Sequence, residues 1–585
     1  MKKLKRTLEN ILFLLKPAVK YGKVLLLLML ATQALPSLVN SLVTVATPKV
    51  AIDGLLNGTP VGRIILNVGV LILAQLAVSV LTSLLGLGTS IKSTEFSLMF
   101  TKLILRQAIA TDYRFLDKPE YYAKYQLTYQ QFSTGSQNAF NTFVDLLSGL
   151  LTCAAMFAVI AVLGPWVVLI VVVGTVAQVL VSIRSVKINM QATRETTEKS
   201  RGINYGSRML QERQYAADMK VSSMGTYVLG WVDKYIKWIK DLQIRFVRPR
   251  MIITLISNIL NHLTALGTVA YVVWGISSGR IGSIGDYAAL IAAGTTLSNQ
   301  LRNLFSMVTN IAQLSEQAEQ AREFFELPSV IEPSKGETPP QGPLSLELRN
   351  VSFAYPESDF CLKHLNLKIE PGEKIGIVGE NGAGKSTLAK LLLRLYDVDS
   401  GAILYDGKPI GEWDVHELRR RVGIAFQDAN LYALTLRENL QYYNPDASDE
   451  QRRKALKTVG LDRLEDLDKT VSREFVEDGI MLSGGETQKL ALARLLMDDF
   501  GLMILDEPSS ALDPLAEYKM TKLMFDVSNT TTVMIAHRLS TIRDADRIYL
   551  ISGGEVAEQG THEELMELNG LYAEMFRKQA ENYTR

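Results

Sequence analysis

The chain has 585 residues, of which 62 are Lys or Arg and 61 are Asp or Glu, giving a net charge of +1. This balance argues against a strongly basic nucleic-acid-binding protein and against an acidic disordered chain. The two cysteines, Cys153 and Cys361, are too few for a disulfide framework or a cysteine metal cluster. Charged residues are scarce before about residue 325 and common after it, which predicts two regions of different character.

Long uncharged segments in the first region predict a helical membrane domain. A helix needs about 20 apolar residues to cross about 30 Å of hydrocarbon, whereas core helices of a soluble protein carry charges on one face. The pair Gly164-Pro165 divides one uncharged segment into two spans with a tight turn between them. We predict six transmembrane helices: Val24–Pro48, Ile64–Ile91, the two halves of Leu146–Ile183, Met251–Gly279 and Ser283–Leu301, the last with a single charge, Asp286, near its start.

The N-terminal residues predict an amphipathic helix ahead of the first span. Lys16, Lys20 and Lys23 interrupt the approach to the apolar run, and that run continues well past Ala34. A cleaved signal peptide would have a shorter and uninterrupted apolar region. We therefore expect Leu8–Val19 to lie at the membrane interface.

Basic residues predict the orientation of the membrane domain. They are concentrated at the N-terminus, between spans two and three, and between spans four and five, whereas the opposite loops are short. Because loops rich in Lys and Arg stay in the cytoplasm, we expect both termini to lie in the cytoplasm. The membrane that the protein spans is expected to be the plasma (inner) membrane. The two long cytoplasmic segments are predicted to be helical, and the interruptions at 117–122 and at Ala216–Ser222 are the candidate points of contact with other parts of the protein.

Few ionisable residues fall within the spans, and each has two interpretations. Arg302 lies near the cytoplasmic end of span six, where it can extend to the interface, and His262 suits helix packing. Charge inside a membrane can also mark a functional site. The polar residues of the spans either line a cavity or join helices, and they include Gln33, Asn40, Asn258, Asn261, Asn299 and Asn303.

A segment rich in Pro, Gly and charge, Leu327–Pro343, predicts a linker. After it, Leu344–Val351 alternates like a strand, Lys374–Val378 has the pattern of a short buried strand, and Ser386–Leu395 that of a helix. This order predicts an α/β domain with a mixed, mainly parallel sheet. We expect a transmembrane domain at 1–326, the linker at 327–345 and the α/β domain at 346–585.

The most specific local motif follows the buried strand. The run Gly379-Glu380-Asn381-Gly382-Ala383-Gly384-Lys385-Ser386-Thr387 matches G-x-x-x-x-G-K-[ST], placed between a strand and a helix. Its glycines let backbone N–H groups approach phosphate oxygens, and the helix N-terminus adds a favourable dipole. We expect Lys385 to reach the β- and γ-phosphates and Ser386 to provide a hydroxyl to Mg²⁺.

A second acidic motif supports nucleotide hydrolysis. The apolar segment Phe500–Leu505 predicts a strand that ends in Asp506 and Glu507. We expect Asp506 to hold Mg²⁺ through water. Glu507 is one residue further along, so it points to the other side of the strand, towards an attacking water.

With these motifs the sequence resembles the ATP-binding cassette (ABC) transporters, in particular exporter-type half-transporters in which the membrane domain precedes the ATPase domain. The resemblance covers nearly the whole chain. Its most specific motif is the signature Leu482-Ser483-Gly484-Gly485-Glu486. Glu486 stands where glutamine is commoner in the family, and the stretch 474–479 matches the exporter pattern only in part.

The resemblance also implies roles for residues outside the two motifs. Tyr355 would stack on adenine, Gln427 would touch Mg²⁺ and the membrane domain, and His537 would contact the γ-phosphate. The loop Ser510-Ala511-Leu512-Asp513 would cross a dimer interface, and the tail around Gly560-Thr561-His562 is also similar to the family. Because each nucleotide lies between one P-loop and the signature of another subunit, the resemblance implies a homodimer, or a heterodimer with a second half-transporter.

The leading hypothesis is an ATP-hydrolysing exporter that moves a peptide, lipid or hydrophobic compound out of the cytoplasm. The alternatives are an importer of exporter-type architecture, as in siderophore-like uptake, and a lipid flippase. A soluble cassette ATPase acting on DNA or ribosomes is excluded by the membrane spans. ATP and Mg²⁺ are the expected cofactors, membrane lipid and the transported molecule the expected partners, and no nucleic acid is expected.

Overall fold

The computed structural model describes residues 2–278, 283–331, 336–356, 361–508, 513–526 and 530–584. The chain divides into two compact units. The first comprises Met1–Ile109 and Glu120–Leu327, and the second comprises Ala110–Pro119 and Pro328–Arg585. Ten residues from the first half of the sequence therefore fold with the second unit.

Long helices build the first unit. The helices of this half of the chain are α1 (Lys2–Tyr21), α2 (Lys23–Leu56), α3 (Val61–Ala110), α4 (Tyr113–Leu116), α5 (Pro119–Leu163), α6 (Pro165–Gln211), α7 (Arg213–Val221), α8 (Met224–Ser277) and α9 (Ile284–Phe325). Of these, α4 belongs to the second unit.

Within the described residues, five helices are long and apolar enough to cross a membrane. These stretches are Lys23–Leu56, Val61–Ala110, Gln137–Leu163, Trp166–Thr193 and Met224–Ser277, and they correspond to the first five predicted spans. Many of their large apolar side chains are exposed, as expected for helices that lipid surrounds. The first unit is therefore a helical membrane domain. The sixth predicted span is helical from Ile284, but α9 is not among the five, so a sixth crossing stays a prediction.

The structure breaks the helices at Gly164-Pro165, as the sequence predicts, but not over most of the predicted interruption at Ala216–Ser222. Gly164 separates α5 from α6, and Pro165 opens α6, where a missing N–H removes no helical hydrogen bond. The predicted interruption at Ala216–Ser222 is wrong, because most of it is helix α7. The breaks fall at Glu212 and at Ser222, whose Oγ accepts a hydrogen bond from the N–H of Met224 (3.1 Å) and so competes with the helical pattern.

The short helix α4 and its flanking residues are held by buried polar contacts of the second unit. Asp112 is fully buried, and its carboxylate accepts hydrogen bonds from the backbone N–H groups of Val330 (2.9 Å) and Ile331 (3.2 Å). Tyr396 donates a hydrogen bond to the carboxylate of Asp117. The interruption predicted at 117–122 is confirmed only for Asp117 and Lys118, since α4 ends at Leu116 and α5 already begins at Pro119.

The described residues of the second unit form two β-sheets. Its strands are β1 (Leu346–Ala354), β2 (Cys361–Ile369), β3 (Lys374–Gly379), β4 (Ser400–Tyr405), β5 (Lys408–Pro409), β6 (Val422–Ala425), β7 (Leu502–Asp506), β8 (Thr531–Ile535), β9 (Arg547–Ser552) and β10 (Glu555–Gly560). Its other helices are α10 (Lys385–Leu392), α11 (Val415–Arg420), α12 (Leu436–Leu440), α13 (Asp449–Thr458), α14 (Gly484–Leu495), α15 (Pro514–Phe525), α16 (His562–Leu568) and α17 (Leu571–Thr584).

The larger sheet has the strand order β10-β9-β3-β8-β7-β6. All its neighbouring pairs are parallel except β10 with β9, which confirms the predicted mixed, mainly parallel sheet. Every residue of β7 and β8 is buried, because helices or a second layer cover both faces of a parallel sheet. The smaller sheet, of order β2-β1-β4-β5, is antiparallel and was not predicted.

Alternate residues of the central strands enter two different hydrophobic cores. Met503 and Leu505 of β7 belong to one cluster, which includes side chains of α13 and α14. Leu502 and Ile504 belong to the other, which includes β1, β2 and α10. The period of two along a strand therefore places one core on each face.

The strand order also determines where the motifs meet. β3, β8, β7 and β6 are consecutive parallel neighbours, so their carboxyl ends lie along one edge of the sheet. Such an edge is where open α/β sheets bind ligands.

Candidate functional site

The glycine-rich loop joins the end of β3 to α10. Gly384 caps α10 with φ 102°, a left-handed conformation that strongly favours glycine. A Cβ on Gly379 would lie 2.1 Å from the carbonyl oxygen of Ile551, so the backbones approach too closely for any side chain there. The sequence prediction of a strand, a tight loop and a helix at this position is confirmed.

Lys385 lies against the backbone of its own loop. Its Nζ donates hydrogen bonds to the carbonyl oxygens of Gly379 (2.9 Å) and Glu380 (3.0 Å). Burial lowers the pKa of this ammonium group, whereas the nearby carboxylates of Glu507 and Asp506 raise it. Of the other loop residues, Asn381, Gly382 and Ser386 are exposed, whereas Ala383, Gly384 and Thr387 are buried.

Tyr355 lies beside the first turn of α10. Its hydroxyl donates a hydrogen bond to Oγ1 of Thr387 (3.3 Å). Its ring packs edge-on against Phe353, with centroids 5.1 Å apart, and against Tyr396 at 5.4 Å. Tyr355, which is predicted to stack on adenine, therefore lies next to the phosphate-binding loop.

Asp506 ends β7 and is 4% exposed. Burial raises its pKa, and a hydrogen bond from Ser386 opposes that rise. Its Oδ1 is buried and has no hydrogen-bond partner among the described residues. A buried carboxylate oxygen without a partner, next to a serine hydroxyl, suits a hard cation that prefers oxygen ligands, such as Mg²⁺.

Glu507 follows directly and turns away from the strand. Its φ is 49°, which is uncommon for a residue with a side chain and tends to occur at functional sites. Its N–H donates to the carbonyl oxygen of Ile535 at the end of β8 (2.9 Å). This turn directs the carboxylate towards the loops that follow β6 and β8.

Two side chains contact the Glu507 carboxylate. Nε2 of Gln427 donates to its Oε2 (2.9 Å), and Nε2 of His537 lies 2.5 Å from its Oε1. Burial raises the pKa of Glu507 and lowers that of His537. The structure thus brings together three residues that are 80 and 30 positions apart in the chain and that follow the ends of three neighbouring strands, β6, β7 and β8.

The loop of His537 is held by contacts that the sequence did not predict. The side-chain amide of Gln579, on α17, donates to the carbonyl oxygen of His537 (2.8 Å) and accepts from the N–H of Leu539 (2.9 Å). Arg538 pairs with Glu517 of α15. These partners are far apart along the chain and belong to no motif, so no local pattern indicates them.

The signature residues form the start of helix α14. Ser483 caps the helix, and its N–H donates to Oε2 of Glu486 (3.0 Å) while its Oγ accepts from the N–H of Glu486 (3.3 Å). Arg463 donates to Glu486 (2.9 Å). Glutamate is therefore compatible with this position, because it completes a capping box and adds an ion pair.

The signature does not join the other motifs within this chain. Ser483 and Gly484 are exposed and Gly485 is partly exposed. Among the described residues, no hydrogen bond links them to the glycine-rich loop.

Asp513 caps α15, whereas Ser510, Ala511 and Leu512 lie outside the described residues. Thr561 caps α16, and Nδ1 of His562 lies 2.9 Å from the hydroxyl of Tyr572.

Arg302 and His262, the two ionisable residues predicted within the spans, lie on different helices of the membrane domain, α9 and α8. Arg302 donates a hydrogen bond to Oδ1 of Asn299, one turn earlier on α9. His262 of α8 has an exposed side chain in this chain, so its predicted role in helix packing stays a prediction.

The chain is similar to several known proteins. Residues 362–510 match the family described as ABC transporter. Over 303 residues the chain is 38% identical to an ATP-dependent lipid A-core flippase of Alkalilimnicola ehrlichii, covering 51% of each chain. Over 361 residues it is 34% identical to the beta-(1-->2)glucan export ATP-binding/permease protein NdvA of Rhodopseudomonas palustris, covering 60% of each. The chain spans about half the length of the curated relatives it matches.

A solved structure extends the likeness to both units. The structure of a bacterial Atm1-family ABC exporter with ATP bound superposes with a TM-score of 0.76 and 25% sequence identity. The match covers 98% of this chain and 98% of the other.

Proposed function

We propose that the chain is an ATP-driven transporter that exports its substrate across the membrane, because residues 362–510 match the ABC transporter family and the chain is similar in fold to an ABC exporter over 98% of its length. The observation that carries this proposal is the meeting of four motifs at one edge of the parallel sheet. The loop after β3, the acids at the end of β7, Gln427 after β6 and His537 after β8 all lie there. Five apolar helices precede them in the same chain.

ATP would bind along this edge. The backbone N–H groups of Gly382–Thr387 and the ammonium of Lys385 would hold the phosphates. Lys385 would exchange its bonds to the carbonyls of Gly379 and Glu380 for bonds to phosphate oxygens. Tyr355, already beside α10, would stack on the adenine.

Ser386, Asp506 and Gln427 are the residues that would hold Mg²⁺. When bound, the cation would neutralise charge that develops on the phosphate oxygens. The hydroxyl of Ser386 would ligate directly, and the unpartnered Oδ1 of Asp506 would act through water.

Glu507 would be the general base. Its carboxylate would accept a proton from the attacking water, and its raised pKa suits that task better than an ordinary glutamate would. Gln427 and His537 fix both carboxylate oxygens, so the base is oriented before the water arrives. His537 would also contact the γ-phosphate from the loop that Gln579 holds.

The signature would complete the site of a second subunit. Ser483 and the first residues of α14 are exposed at a helix N-terminus, where phosphate oxygens bind well. A homodimer or a heterodimer with a second half-transporter would place two nucleotides between opposed P-loops and signatures. The basic loops favour a cytoplasmic position for both termini and for the ATPase domain.

The transported molecule would be an amphipathic lipid, peptide or hydrophobic compound. One relative is named a lipid A-core flippase and another a glucan export protein, which supports export or flipping rather than uptake. ATP binding would close the dimer and open the membrane pathway outward, and hydrolysis would reset it.

The test is ATP turnover and substrate movement by the purified protein in nanodiscs and sealed vesicles. Lys385→Ala should abolish turnover, because the phosphates lose their point charge. Near-normal hydrolysis by this variant would contradict the site, whereas hydrolysis without any ATP-dependent flux would contradict transport. Native mass measurement of the same sample would distinguish a homodimer from a monomer that needs another partner.

A further inference from the structure

A cavity of about 120 Å³ with both polar and apolar lining residues lies inside the membrane domain, where α6, α8 and α9 meet. Val171 of α6 forms part of its wall. The spacing of three and four residues places its polar side chains on one face of α8 and one face of α9. These side chains are Asn261, Thr264 and Thr268 of α8 and Thr295, Ser298 and Asn299 of α9.

Gly174 allows α6 and α8 to approach each other closely, whereas a side chain at Gly294 would meet only ordinary van der Waals contacts. A Cβ on Gly174 of α6 would lie 2.1 Å from Oγ1 of Thr264. A Cβ on Gly294 of α9 would lie 3.4 to 3.7 Å from Val167, Thr268 and Val171. The cavity therefore lies in closely packed protein, and its polar lining is not a result of loose packing.

Three of the lining residues are threonines whose hydroxyl groups already donate their protons to backbone carbonyls. Thr264 donates its proton to the carbonyl oxygen of Leu260 (2.8 Å), Thr268 to that of Thr264 (3.0 Å) and Thr295 to that of Ile291 (2.9 Å). Each proton is used within its own helix, so lone pairs remain for another molecule.

Ser298 and Asn299 provide hydrogen-bond donors. Ser298 is 6% exposed, and its Oγ has no hydrogen-bond partner among the described residues. A buried hydroxyl without a partner is unfavourable, so it favours any molecule that can bind it. The oxygen of Asn299 accepts from Arg302, which leaves its amide N–H groups as donors.

The lining favours an uncharged group that both donates and accepts. No charged side chain of the described residues lines the cavity. An anion would be repelled by the lone pairs of three threonine hydroxyl oxygens. A cation would be repelled by the guanidinium of Arg302, which donates a hydrogen bond to Asn299. Thr295 and Asn299 have exposed side chains, so a ligand can enter from their side.

We propose that this cavity binds an uncharged, hydroxyl-bearing group of the transported molecule. The inference rests on the proposed function, since it assigns part of the substrate to a site in the membrane domain. A hydroxyl matches both halves of the lining, because it donates to threonine oxygens and accepts from Ser298 and Asn299.

The test uses a photoreactive dodecyl glucoside on the full-length protein in nanodiscs, with labelled peptides mapped by mass spectrometry. We expect labelling within α8 and α9 near residues 261–299. Excess dodecyl glucoside should compete, whereas dodecyl sulfate and dodecyltrimethylammonium should not. Ser298→Ala should weaken labelling about three- to tenfold, the usual effect of one lost hydrogen bond.

Thr296→Val is the matched control, because Thr296 lies on the same helix, donates to the carbonyl oxygen of Ala292 and does not line the cavity. Equal labelling of the Ser298→Ala and control variants would overturn the proposal. Equal competition by the charged amphiphiles would overturn it too, as would a cavity that holds water only and takes no label.

Lys385→Ala keeps this test independent of the ATPase site. That variant should lose ATP turnover and keep the labelling. If the wild-type protein is labelled at α8 and α9 but shows no ATP-dependent flux, the transport proposal is contradicted and the binding site is supported. If it shows flux but no labelling, the binding site is contradicted and the transport proposal is supported.

Discussion

Gln579 of the C-terminal helix binds the backbone of the loop that carries His537. One amide group contacts that loop twice, through the carbonyl oxygen of His537 (2.8 Å) and the N–H of Leu539 (2.9 Å). Since His537 lies 2.5 Å from the Glu507 carboxylate, α17 positions the candidate base through one intermediate residue.

Gln579→Ala should therefore lower kcat for ATP about three- to tenfold, with little change in KM. The nucleotide would still bind, but the loop of His537 would lose two hydrogen bonds. Gln579→Glu, which keeps only the acceptor to Leu539, should give an intermediate value. Arg577→Ala is the control, because Arg577 lies on the same helix and its side chain donates to Oδ1 of Asn569 instead. A rise in KM with unchanged kcat would contradict a positioning role.

Glu507→Gln should bind ATP and hydrolyse it about 10²–10⁴-fold more slowly, the usual contribution of a general base. The amide keeps the shape of the side chain but cannot accept a proton. Asp506 remains, so affinity for Mg-ATP should persist and the closed dimer should accumulate. Bound ATP retained after gel filtration would support this, while turnover at the parent rate would leave His537 as the first candidate for the base.

The pH dependence of ATP turnover should have an acid limb above pH 4.5. Burial raises the pKa of Glu507 above its ordinary 4.5, and the base acts only when deprotonated. The rate of ATP turnover is therefore at its maximum above that raised pKa and falls as the pH drops through it. The limb should be absent from the residual activity of Glu507→Gln. A wild-type limb at or below pH 4.5 would mean that another group controls the rate.

Ser483→Arg should block hydrolysis without changing the P-loop of the same subunit. The added bulk and charge at the exposed start of α14 would prevent closure onto another subunit's nucleotide. A mixed dimer with Ser483→Arg in one subunit and Lys385→Ala in the other keeps one intact composite site and should retain partial turnover. Complete loss in that mixture would show that the two sites depend on each other.

The sequence predicted the parts of the ATPase site that depend on local geometry. The glycine pattern of 379–384 indicates a tight turn between β3 and α10, and the apolar segment Phe500–Leu505 before the two acids indicates a strand. Each of these patterns lies within about ten residues, so the chain itself contains the physical reason. Tyr355, Gln427 and His537 were placed by family resemblance, and the strand order then explains why they meet.

Contacts between distant residues could not be predicted in the same way. Gln579 and His537 are 42 positions apart, and neither neighbourhood contains a pattern that indicates the pair. Asn261 and Asn299 were left with two interpretations, because the rotation of each helix decides whether an amide faces a cavity. The break at Glu212 was missed because no Gly or Pro marks it.

The position of Ala110–Pro119 in the second unit affects how the ATPase can be studied by itself. A fragment that starts at the linker would lack Asp112, whose buried carboxylate accepts two backbone hydrogen bonds, and bonds to charged groups contribute about 1.5–3 kcal/mol each. The same fragment would leave Tyr396 without Asp117. Such a fragment is structurally incomplete, and a synthetic peptide of residues 110–119 added in trans is the natural way to complete it.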